Sequence, residues 1–135
     1  MADITITAAN VVRITGSVVN MTAGEALTAG QLVYKDTAAD NVIKLADADA
    51  EASAVILGVA LHAALSGQPI AVQTTGTITI GGTVVVGEIY CATPTAGGVG
   101  PEADTLTGDY LSIFGVGTSA TVITLNIFNS GALLP

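Results

Sequence analysis

A chain of 135 residues is one domain's worth, enough to bury roughly two thirds of the surface that its unfolded form exposes. Half of the residues are hydrophobic and only 10% are charged, against roughly 25% in ordinary soluble domains, so part of the surface is expected to be covered by copies of the chain or by another partner. The net charge of −8 sets eleven acids against Arg13, Lys35 and Lys44; three scattered cations cannot build the basic stripe that phosphate contacts need, so neither nucleic acid nor an anionic membrane is an expected partner.

The chain opens with Asp3-Ile-Thr-Ile-Thr7, an alternation that puts Ile4 and Ile6 on one face. After Ala8-Ala9-Asn10, apolar residues resume at Val11, Val12, Ile14, Val18 and Val19, broken by Gly16. No partner strand follows at hairpin distance. Two readings stay open for residues 1–21, ahead of a β domain over 22–135. They are the first strands of a barrel or sandwich, or an extended arm that pairs with another chain by strand addition. No basic region followed by an apolar run opens the chain, and Asp3 stands where a signal peptide is cationic, so synthesis in the cytosol is expected.

Met21 to Gly30 is a connection of small residues. Gln31 to Asp36 reads as a strand, Thr37 to Asn41 as a turn and Val42 to Ala46 as the return, which makes a hairpin. Ala48 to Ala54 has good helix formers and room for one helical turn. Val55 to Leu61 is too apolar, residue after residue, for a surface strand, and Gly58 in its middle marks a bulge or the close approach of another backbone. Ser66-Gly67-Gln68 and Pro69 lead into a second strand, Ile70 to Thr75, closed by Gly76. This pair is expected at the centre of the core. The uncharged stretch from Ala52 to Gly87 is punctuated by Gly, Pro, Thr, Gln and His, so it is not a membrane helix.

Thr77 to Ile80 alternates cleanly, Gly81-Gly82 supplies a tight turn, and Thr83 to Val86 follows, which predicts a hairpin. Glu88 to Ala92 is a further strand. Thr93 to Asp104 holds Pro94, Gly97, Gly98, Gly100 and Pro101 and is expected to be a long loop without regular structure. Tyr110 to Val116 and Thr121 to Phe128 complete the set, and the apolar tail at Leu133-Leu134 would dock on something. An offset of 57 positions superposes Gly30 on Gly87, Asp47 on Asp104, Ile56 on Ile113, Gly58 on Gly115 and Val59 on Val116, and two readings stay open: an internal duplication, or two strand pairs obeying the same rules of burial. About ten short strands with regular turn signals and no helical period predict an all-β single-domain sandwich or barrel.

Candidate chemistry is sparse. His62 is the single imidazole, and Ser66 follows it, but no Gly-x-Ser-x-Gly elbow accompanies them. Asp47, Asp49 and Glu51 have a spacing that suits calcium, yet the glycine that turns an EF-hand loop is missing, so a solvated acidic turn is the simpler reading. Gly97 to Gly100 matches a phosphate loop in glycine content alone. A lone Cys91 builds neither a disulfide framework nor a zinc site and reads as a small buried hydrophobe. No catalytic residue, cofactor or metal is expected.

The run Ala29-Gly-Gln-Leu-Val-Tyr34, the acidic turn after Leu45 and the stretch from Ala54 to Gly76 resemble the capsid decoration, or cement, proteins of tailed bacteriophages. The positions that carry the likeness are Gly30 to Tyr34, Gly58 to Ala60 and Gly67 to Gly76, within about residues 22 to 92. The resemblance implies a virion protein on the outer surface of a phage head, made in the host cytoplasm. It would form a homotrimer and clamp neighbouring major capsid protein subunits. It further implies that the opening segment touches the capsid, with Ile4, Ile6, Val11, Val12 and Ile14 filling pockets. The alternative is a virion-surface fibre base or glycan-binding β module working through the loop at 93–104.

Overall fold

The computed structural model describes residues 3–102 and 109–133. Alternating and doubly apolar runs become eleven strands: β1 (Val12–Thr15), β2 (Val18–Thr22), β3 (Leu32–Asp36), β4 (Val42–Leu45), β5 (Gly58–Ala60) and β6 (Pro69–Gln73), then β7 (Thr77–Thr79), β8 (Ile89–Ala92), β9 (Val99–Pro101), β10 (Tyr110–Gly117) and β11 (Val122–Leu133). They form two antiparallel sheets. One has six strands in the order β1-β7-β11-β10-β8-β9, the other five in the order β2-β6-β5-β3-β4. The chain is all-β as expected, and of the two architectures left open, sandwich or barrel, the two sheets make a sandwich.

The doubly apolar runs have a simple cause: the five-stranded sheet is covered on both faces. Leu32, Ile56 and Val59 point into the main core between the sheets, against Ile78, Tyr90, Phe114 and Ile123. Their neighbours Val33, Leu57 and Ala60 point the other way, into a second core with Leu27, Ile43, Ile70 and Val72. That second core is enclosed because the sheet rolls up: Ala23 bridges to Ile43 in parallel, and Gly24 N–H donates to Ile43 O at 2.7 Å. Each fully buried Ile or Phe contributes about 1.5–3 kcal/mol relative to leaving it exposed.

The two sheets repeat one topology. Strands β2 to β6 build the first and β7 to β11 build most of the second, and in each the spatial order is first, fifth, fourth, second, third. The offset seen in the sequence falls on equivalent places. Gly30 and Gly87 precede β3 and β8, with φ of 89° and 85°. Gly58 on β5 and Gly115 on β10 both leave room for a neighbouring carbonyl, of Gln73 and of Thr124, that a Cβ would overlap. Asp104, the offset partner of Asp47, lies outside the described residues.

Several local expectations are corrected. Gly81-Gly82 does not turn a hairpin, and Thr83 to Val86 is not a strand. The glycines instead make room for the N-terminal segment. Thr7 N–H donates to Gly81 O at 2.8 Å, and a Cβ on Gly82 would strike Ile4. Residues 93–102 are not an irregular loop either, for β9 lies there and Thr93, Gly97, Val99, Gly100 and Pro101 are buried. The central strand is short, since only Gly58 to Ala60 pair as β5. The turn between Ala48 and Ala54 is present, closed by Ala54 N–H to Ala50 O at 2.9 Å.

β1 and β2 form one extended path that passes from the six-stranded sheet to the five-stranded one, and it meets β6 and β7 passing the other way. At the crossing a Cβ on Gly16 would overlap the Thr75 carbonyl, and one on Gly76 would overlap that of Thr15. Their φ values of 111° and 90° are conformations that favour glycine. The wholly buried Gln73 staples the crossing. Its Nε2 donates to Thr15 O (2.8 Å), Thr75 O (2.8 Å) and Thr77 O (3.0 Å).

Candidate docking edge

Sheet edges carry backbone N–H and C=O groups without strand partners, and most of these edges are covered. On the far side of β9, Ile4 N–H donates to Val99 O at 2.8 Å, so the N-terminal segment shields that edge. The bridge between Ala23 and Ile43 joins the two ends of the five-stranded sheet. β1 pairs with β7 on one side, and among the described residues no strand lies on its other side.

β1 is exposed at every residue, with Val12 at 56% and Ile14 at 50%. Its register to β7 runs Val12 to Thr79, Arg13 to Ile78 and Thr15 to Thr77, so Ile14 is the extra residue of a bulge. Thr15 Oγ1 and Thr77 Oγ1 lie 2.9 Å apart and close the ladder at its lower end. The Arg13 guanidinium reaches Gly16 O at 3.2 Å. On β2, in the other sheet, Val19 is exposed as well.

The residues singled out from the sequence therefore divide. Ile4, Ile6 and Val11 are half-buried and pack against the main core, so they are not presented to a partner on a detached arm. Val12 and Ile14 are presented, as members of β1. Of the two readings for the opening segment, sheet strands are what the structure contains from Val12 to Thr22. The physical reason is the space left by Gly30, Gly81 and Gly82, into which Ile4 and Ile6 settle.

The candidate chemical groups are otherwise occupied. The His62 ring accepts Ala71 N–H at Nε2 (3.1 Å) and lies 2.9 Å from Ala63 O at Nδ1, which assigns Nδ1 as the donor and leaves the ring bonded to backbone on both nitrogens. Ser66 Oγ donates to Gly24 O at 3.3 Å and not to His62. Asp47 Oδ1 accepts Asp49 N–H at 3.1 Å within its own turn; burial, followed by the neighbouring acids Asp49 and Asp109, raises its carboxyl above the usual range. Burial pushes the Cys91 thiol up to about 12, with Glu102 and Glu88 adding to the effect. Lys44 Nζ lies 2.9 Å from Asp36 Oδ2, and that hydrogen bond lowers the Asp36 pKa and raises that of Lys44. No group of three metal-ligating side chains comes together among the described residues.

A feature that sequence reasoning missed lies on the outer face of the six-stranded sheet. Ile89, Ile113, Gly115, Val116 and Asn126 line an apolar groove of about 300 Å³, and Phe128, 60% exposed, stands opposite Ile113. The alternation in β8, β10 and β11 contained the signal, but nothing local says which face stays outside. No helix among the described residues is long and apolar enough to cross a membrane. No protein-family model and no curated protein matches the chain.

Proposed function

We propose that this chain is a decoration protein of a tailed-phage head. It binds the outer surface of the assembled shell, bridges major capsid protein subunits and associates with copies of itself as a homotrimer. It works by adhesion and carries out no reaction. The observation that carries the reading is the open edge of β1, where Val12 and Ile14 stand exposed beside backbone groups that a further strand would satisfy. Low charge and a net −8, which disfavour nucleic acid, support it, as does the likeness of Gly30 to Tyr34, Gly58 to Ala60 and Gly67 to Gly76 to cement proteins.

Deleting the opening segment would be a poor test, because Ile4, Ile6 and Val11 belong to the core. The double variant Val12→Asp/Ile14→Asp alters exposed positions alone. Wild-type protein should co-sediment with undecorated phage heads and raise their rupture temperature, and the double variant should do neither while unfolding within about 0.5 kcal/mol of wild type. Wild-type protein that ignores heads, or a double variant that binds them equally well, refutes the reading.

A further inference from the structure

We propose that Arg13 sets the register of a capsid-subunit strand added at β1, by pairing with an Asp or Glu carboxylate on that strand. The inference rests on the docking reading above and names the chemistry of its partner. Pairing along a β edge is periodic. A slip of two residues restores the same hydrogen-bond pattern and returns every side chain to the same face. Val12 and Ile14 offer similar aliphatic bodies, so backbone bonding and apolar contact favour one register little over the next.

Arg13 breaks that degeneracy. It is the one charged residue from Val12 to Thr22. Its guanidinium is exposed, and within the described residues its polar contact is the Gly16 carbonyl at 3.2 Å, with no carboxylate beside it. The residues across the ladder from β1 are Thr79, Ile78 and Thr77, and beyond them Val122, Ile123 and Thr124, none of them charged. Lys44, by contrast, already holds Asp36.

The rest of the chain sharpens this selectivity. With a net charge of −8, most of the surface repels an acidic partner, and of the three cations Arg13 is the one that stands on the open edge, since Lys35 and Lys44 lie on β3 and β4 of the other sheet. The planar guanidinium fork holds a carboxylate through two parallel hydrogen bonds, which adds direction to charge. A strand slipped by two residues would set its carboxylate away from the guanidinium and leave both charges poorly paired on association. Such a penalty on wrong pairings is how interfaces built from repetitive contacts gain specificity.

The test is equilibrium co-sedimentation of full-length wild type, Arg13→Lys, Arg13→Gln and Arg13→Glu with purified, undecorated phage heads, alongside Val12→Asp/Ile14→Asp. Thermal unfolding shows that each variant is folded; Arg13→Gln serves should Arg13→Glu be destabilised. Binding should weaken roughly tenfold or more for Arg13→Gln and further for Arg13→Glu, with Arg13→Lys between wild type and Arg13→Gln. If Arg13→Gln and Arg13→Glu bind within about twofold of wild type, or more tightly, while the double variant fails, the role of Arg13 is overturned and the docking edge stands. If wild type does not bind, or all variants bind alike, the docking reading itself falls and the inference with it.

Discussion

Gln73 offers the sharpest test of how the molecule holds β1 in place. Its side chain is wholly buried, its Nε2 serves three carbonyl oxygens within 2.8–3.0 Å, and its Oε1 takes no hydrogen bond from any described residue. Gln73→Met keeps the length. It removes a buried acceptor without a donor but leaves the carbonyl oxygens of Thr15, Thr75 and Thr77 short of theirs, at about 1–3 kcal/mol for each that stays shielded from water. The loss outweighs the gain, so Gln73→Met should be destabilised by about 1–2 kcal/mol. Gln73→Ala adds a cavity and should cost about 3 kcal/mol. Gln73→Glu sets a carboxylate against three carbonyl oxygens, a cost of about 3–5 kcal/mol at neutral pH that shrinks on acidification. Urea unfolding gives the three values, and amide exchange locates the effect, which should be loosened protection along β1 and β7. Gln73→Glu within about 1 kcal/mol of wild type, with β1 protection unchanged, would refute the staple.

Cys91 should resist alkylation at pH 8 in the native state and react fully in denaturant, as read by mass spectrometry. Because its folded pKa of about 12 exceeds its unfolded value, thiol ionisation lowers stability as pH rises from about 9 toward 12, and Cys91→Ala should flatten that alkaline loss. Gly58→Ala and Gly115→Ala should each destabilise by about 1–3 kcal/mol or more in thermal unfolding, since the new methyl meets the Gln73 or Thr124 carbonyl. Gly67→Ala, where a Cβ meets open space but φ is 87°, should cost about 1 kcal/mol and serves as the control.

The candidate edge was half legible. The alternation at Ile4 and Ile6 and the apolar run from Val11 to Val19 identify a strand-rich opening, and Gly16 marks its break. They do not say which residues remain outside. Ile4 and Ile6 have the same local signature as Val12 and Ile14, yet the first pair is half-buried in the main core and the second is exposed. The difference comes from glycines far along the chain, whose missing side chains admit the first pair. The same glycines, Gly81-Gly82, look locally like a tight turn, and so the hairpin expected there is absent.

By itself the sequence determined the things that depend on local chemistry. Period-two alternation and punctuation by glycine specify the strands. Consecutive apolar residues at Leu32-Val33 and Val59-Ala60 require a sheet buried on both faces, and the echo at an offset of 57 foreshadows a repeated strand order. Tertiary structure alone decided how the sheets close, which edges are covered, and that among the described residues no strand lies on the outer side of β1, where Arg13 stands. Side-chain patterns set what a strand buries, whereas its neighbours are set by backbone groups that are alike in every residue. Those groups find partners only when distant segments meet.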